Sequence, residues 1–137
     1  MRIPPTENAL LVRADFSNQK AWKGLLADAQ EPADPFICNL EIIDDRANNG
    51  VTAEQIMTAL PHDYPHSFIV IADGESMSQP GYPLLVVDVL DEAGRRFRAT
   101  ASAIACIDNN LSIGNMDFEE FAESVDETGI FRGIPGI

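Results

Sequence analysis

Short apolar runs that end on aspartate recur through the first half of the chain. Ala9-Leu10-Leu11-Val12-Arg13 leads to Asp15, the alternating segment 36–43 leads to Asp44-Asp45, and 67–72 leads to Asp73. Apolar segments of this length bounded by turn residues predict strands. Between the first two, Trp22, Leu25, Leu26 and Ala29 fall at helical spacing behind Ser17 or Asn18 as capping side chain, and Pro32 and Pro35 close the helix off. Between the second and third, Arg46-Ala47-Asn48-Asn49-Gly50 is turn chemistry. Thr52 and Gln55 then form the two ends of a capping box, which predicts a helix to about residue 60.

The second half reads differently. Residues 74–83 have the composition of a loop, and the apolar segments 84–90 and 97–101 bracket Asp91-Glu92-Ala93-Gly94, a hairpin signal with Arg95, Arg96 and Arg98 along its edge. A short apolar helix over 102–107 follows, and Asn109 and Asn110, which tolerate left-handed backbone, are expected to end it. Asn115 or Asp117 can cap a last helix over 117–125, with Glu120 answering Asp117. Its periodicity turns Phe118, Phe121, Ala122 and Val125 inward and Glu119, Glu120, Glu123 and Asp126 outward. Gly129 stops it, and Ile130-Phe131-Arg132-Gly133 is a short closing segment.

The order β-α-β-α-β-β-β-α-α begins as a parallel α/β sheet and ends with an antiparallel hairpin. We therefore expect an α/β fold: one compact domain over 1–137, a mixed sheet of about five strands with helices packed on it, and an acidic C-terminal helix. A ferredoxin-like arrangement is the alternative, but the first two βα units are too regular for it. The first three strands should be parallel, joined by right-handed helical crossovers. Trp22, Leu25, Leu26, Ile56, Leu60, Phe118 and Phe121 should be buried against the sheet.

Composition narrows this picture. The 137 residues are 45% hydrophobic, as in globular proteins and unlike disordered ones. No apolar run approaches the roughly 20 residues of a membrane span, and Met1 to Glu7 lacks an apolar signal core. A cytoplasmic protein with no membrane partner is expected. Twenty-two acidic residues against nine basic ones give a net charge of −13, a field that repels nucleic-acid backbones and attracts basic proteins. The same charge also serves solubility, or life in a saline cytoplasm. Cys38 and Cys106 sit in apolar segments and read as buried thiols of a reducing compartment.

Four constellations could carry chemistry. Asp15, Asp45 and Asp73, with Asp44 beside them, close successive strands one βα unit apart, so a parallel sheet would bring them to its carboxyl edge, where α/β sheets bind ligands. Clustered there, they could hold Mg²⁺ beside a phosphate. Each is equally a strand-exit or capping residue, and neither a Gly-rich phosphate loop nor a late strand-end Lys accompanies them. His62 and His66 stand four apart, but Pro65 forbids a regular helix through the pair. Gly74-Glu75-Ser76 resembles part of a nucleophile elbow without its second glycine. The Asn-rich block from Asn109 to Asn115 is explained by turn and capping roles, and a binding role would require its side chains to point outward.

Leu10-Leu11-Val12-Arg13-Ala14-Asp15-Phe16-Ser17, Ala72-Asp73, Pro83-Leu84-Leu85-Val86-Val87-Asp88, the block from Asn109 to Phe121 and Phe131-Arg132-Gly133 span nearly the whole chain. In these blocks the sequence resembles an uncharacterised bacterial family known only as a domain of unknown function. The resemblance implies one full-length α/β domain and assigns no activity.

With no nucleophile–base pair in view, the leading expectation is a non-enzymatic, acidic protein-binding domain without a cofactor, of the kind used as an immunity or inhibitor protein against a basic effector. Its contact surface would be Asp108, Glu119, Glu120, Glu123, Asp126 and Glu127. The alternatives are a small-ligand or Mg²⁺-dependent phosphate-site protein using Asp15, Asp45 and Asp73, and a structural subunit of a bacterial assembly. Oligomeric state stays open.

Overall fold

Three of the apolar segments that end on aspartate become parallel strands. The computed structural model describes residues 1–31 and 39–133. It contains β1 (Ala9–Arg13), β2 (Leu40–Ile43), β3 (Phe68–Ala72), β4 (Leu84–Asp88), β5 (Arg96–Ala99) and β6 (Ile130–Phe131), joined in one six-stranded sheet of order β2-β1-β3-β4-β5-β6. β1 pairs in parallel with β2 and β3, β4 runs antiparallel to β3 and β5, and β6 is parallel to β5. The carboxyl ends of all strands but β4 therefore share one edge of the sheet. Cys38, Pro32, Pro35 and positions 36–38 of the expected second strand lie outside the described residues.

Strand periodicity decides what each face covers. Ala9, Leu11, Phe68, Val70, Ala72, Leu84 and Val86 face α1 (Gln19–Gln30), which buries Trp22 and Leu25 there. The same core takes α4 (Ile104–Ser112) and α5 (Phe118–Glu123) through Ile104, Ile107, Phe118 and Phe121. The alternate residues Leu10, Val12, Ile69, Ile71 and Val87 face Ala53 and Ile56 of α2 (Ala53–Ala59) on the opposite side. The sheet is thus covered on both faces, as parallel strands require. Leu26 and Leu60 are only half-buried at the margins of these cores.

Local chemistry sets the helix starts. Asn18 accepts from the Ala21 amide, and Thr52 with Gln55 completes its capping box. Two stretches depart from the sequence pattern. Within 74–83 a short helix, α3 (Gly74–Ser78), replaces the beginning of the expected loop, because the Asp73 carboxylate and Ser76 satisfy each other's amides. α4 does not stop before Asn109. The amide groups of Asn109 and Asn110 donate back to the Ala105 and Cys106 carbonyls, both at 2.8 Å, and the helix continues to Ser112. The turn is made later, at Gly114, with φ +70°.

Candidate functional site

At the carboxyl edge the three aspartates are each engaged locally. Asp15 accepts from the Ser17 amide and hydroxyl, Asp45 caps the 3₁₀ turn Arg46–Asn48, and Asp73 caps α3. Asp15 and Asp73 do approach one corner, since a Cβ built on Gly74 would stand 3.1 Å from Asp15 Oδ2. That corner already holds a cation. Arg98 donates to Asp73 Oδ1 at 2.9 Å and Oδ2 at 2.7 Å, and its Nε pairs with Glu75. Burial pushes the Asp73 carboxyl up, but the bonds from Arg98 and Ser76 outweigh it and hold it below the usual carboxylate range. Among the described residues no three His, Cys, Asp or Glu side chains converge to hold a metal ion.

Beside it, Arg13 forms a joint that residue spacing alone did not reveal. Its side chain is 3% exposed, lies 4.2 Å from the Phe16 ring centre and 4.9 Å from that of Trp22, and pairs with Asp44 at 3.3 Å. Trp22 Nε1 donates to the other oxygen of Asp44 at 3.2 Å, so β1, α1 and the end of β2 are tied through one buried guanidinium.

The histidine segment crosses the opposite edge as a loop. His62 is exposed, while His66 Nε2 stands 2.7 Å from the Glu7 carbonyl, which can only accept and so assigns the neutral ring's proton to Nε2. Ser112 Oγ lies 3.3 Å from both His66 Nδ1 and Asp108 Oδ1, two acceptors within reach of its single proton. Asp108 is 5% exposed. The extra turn of α4 rotates it into the protein, and this removes it from the outward carboxylates with which its sequence position had grouped it. Burial raises its pKa against the pull of the Asn39 amide, His66 and Ser112. Of the nucleophiles, the buried Ser76 hydroxyl has its single proton within reach of the Pro83 carbonyl at 2.8 Å and Asp73 Oδ1 at 3.0 Å, and burial pushes the Cys106 thiol up.

The Asn-rich block is a scaffold for α5. Buried Asn110 accepts from the Asn115 side chain at 2.8 Å, and its carbonyl accepts from the amides of Asn115 and Met116. Asp117 then caps α5, with the Glu120 carboxylate reaching back to the Asp117 amide. Phe118 and Phe121 pack on Phe97, at 5.0 and 6.4 Å between ring centres, and Phe131 meets Phe121 edge-on at 5.2 Å. With that face used, Glu119, Glu120, Glu123, Asp126 and Glu127 are exposed. Asp126 is taken by Thr128 and Arg132, which hold its carboxyl far below the usual range. Among the described residues the other four have no cationic partner.

Two depressions adjoin these elements. One, of about 640 Å³, is lined by Met1, Asn49, Gly50, Glu54 and Thr58 over α2, where Glu54 already pairs with Arg96. A more apolar groove of about 420 Å³ lies against β6 and α5, lined by Met116, Ser124, Asp126, Ile130, Phe131, Arg132 and Gly133. Among the described residues no helix is long and apolar enough to cross a membrane.

Comparison with known proteins supplies a family. The model of a domain of unknown function, DUF6924, matches residues 8–134, and the chain belongs to that family. All six strands and five α-helices of the described residues lie within the matched region. No match was found among curated proteins.

Proposed function

We propose that this member of the DUF6924 family is a non-enzymatic, acidic protein-binding domain that presents α5 and the turn after it to a basic surface of another protein. An immunity or inhibitor protein that neutralises a basic effector works in this way. The observation that supports the reading is how charge is sorted in the fold. Five of the nine basic residues, Arg13, Arg95, Arg96, Arg98 and Arg132, are consumed in internal ion pairs. Among the described residues, Glu119, Glu120, Glu123 and Glu127 are left exposed and without a cationic partner on one short stretch of chain. A field of that sign accelerates encounter with a cationic protein and is felt over about a Debye length, roughly 8 Å at physiological salt.

The test is affinity capture from extract of the native cell at low and high salt, using the protein and its Glu123→Lys, Glu127→Lys variant. Recovery of a basic protein that is lost both at high salt and in the variant supports the proposal. A partner retained equally by both forms, or no salt-sensitive partner, rejects it.

A further inference from the structure

From the groove beside the acidic face, we infer that the partner inserts an apolar side chain flanked by Arg or Lys between α5 and β6. This inference rests on the reading of the acidic surface and adds the chemistry of the bound segment. The groove is lined by Met116 just before the Asp117 cap, by Ser124 at the end of α5, and by the β6 residues Ile130 and Phe131, which are themselves nearly buried. At about 420 Å³ it falls in the range of ligand-binding clefts, roughly 300–1,000 Å³.

Its rim is what selects a basic occupant. The Glu120 carboxylate is turned back to the Asp117 amide, so the rim charges are those next in the chain to lining residues. Glu123 adjoins Ser124, and Glu127 adjoins the lining residue Asp126. Among the described residues the one cation in the lining, Arg132, is neutralised by Asp126 at 2.7 Å. β6 offers no ready strand-pairing edge at Ile130, whose amide and carbonyl are both bonded to Asp126. Recognition would therefore run through side chains: an apolar one in the groove and cations on its rim. A second copy of this chain, at −13, would meet like charge there.

A short synthetic peptide with a central leucine between arginines and lysines tests this by calorimetry, beside one with glycine at the centre and one with glutamines for the cations. The leucine peptide should bind about tenfold or more tightly than the glycine peptide, the worth of one buried apolar side chain. Filling the groove with Ser124→Tyr or, independently, Met116→Trp should remove that tenfold preference while the salt dependence remains. Glu123→Lys with Glu127→Lys should weaken both basic peptides. If charge reversal abolishes binding but the central residue and the groove-filling variants make no difference, the acidic-surface reading stands and the groove inference fails. If neither matters, both fail. Two further outcomes would overturn the inference: dimerisation in sedimentation that Ser124→Tyr abolishes, or a marked gain in peptide affinity in a chain ending at Gly133, which would make residues 134–137 the occupant.

Discussion

Replacing Asp88 with asparagine tests how the hairpin supports the helix that carries the proposed contact face. Asp88 is 1% exposed. Its Oδ1 accepts from the Leu90 and Asp91 amides at 2.9 and 3.2 Å, and its Oδ2 accepts from the Glu92 amide at 3.0 Å and Arg95 Nη2 at 3.1 Å. Asparagine with its oxygen at the Oδ1 position keeps the first pair and turns an N–H group towards the second. Two hydrogen bonds to a charged acceptor are lost, each worth roughly 1.5–3 kcal/mol. Part of this is recovered because Arg95 is a quarter exposed and also pairs with Glu92, so the net cost is about 3 kcal/mol. With an unfolding entropy of about 2.1 cal/mol/K per residue over 137 residues, Tm should fall by about 10 °C at pH 7. Burial pushes the Asp88 carboxyl up, but the Leu90, Glu92, Arg95 and Asp91 bonds together hold it below its usual value. A depressed folded pKa gives stability that is complete above the unfolded value, about 3.9, and is lost as pH falls through the folded one. Calorimetric scans should thus show the two proteins converging below about pH 4. The Arg95 guanidinium also lies 5.0 Å from the Phe118 ring centre, so amide exchange over 118–123 should quicken in the variant. A Tm loss under about 3 °C, or one that is independent of pH, would refute the reasoning.

Two further substitutions have opposite signs. Phe121→Ala removes a fully buried ring between Phe97 and Phe131 and should cost about 3–5 kcal/mol in urea titration. Asp108→Asn should raise Tm at pH 7: a carboxylate whose pKa burial has raised loses stability as pH climbs from the unfolded value through the folded one, and asparagine escapes that loss. The gain should shrink towards pH 4, and a loss at pH 7 would contradict it.

The strands and the capped helices were legible because their determinants are local: Leu10 and Val12 alternate with Ala9 and Leu11, and Thr52 finds Gln55 three residues on. α3 was missed because Asp73 reads equally as a strand exit, and because Pro80 and Gly81 give the whole segment the look of a loop. The end of α4 was misplaced because asparagine's preference for turns is a property of an amide free to bond elsewhere. Here both amides bond within the helix, and only that extra turn carries Asp108 inside. The outward carboxylates of α5 could be read from helical spacing. Their lack of partners could not, since it depends on Arg98 reaching Asp73, Arg96 reaching Glu54 and Arg13 reaching Asp44, pairings set by strand order. The groove was hidden for the same reason: Met116 and Phe131 line one depression only once β6 pairs with β5.

Not every carboxylate of the acidic face calls for a partner. Asp117 and Glu120 form a capping box, and Glu119 and Glu120 occupy the first turn of α5, where the helix dipole favours negative charge by roughly 0.3–1 kcal/mol. The stability of the helix accounts for these three. Glu123 is the last residue of α5, where the same dipole disfavours an anion, and Glu127 lies beyond the helix without a described hydrogen bond or ion pair. Folding gains nothing from either charge. They are therefore the residues whose reversal separates binding from folding: a lysine at 123 complements the helix end, so the Glu123→Lys, Glu127→Lys protein should melt no lower than its parent while losing a basic partner. A Tm that falls together with affinity would instead place both glutamates in the service of the fold.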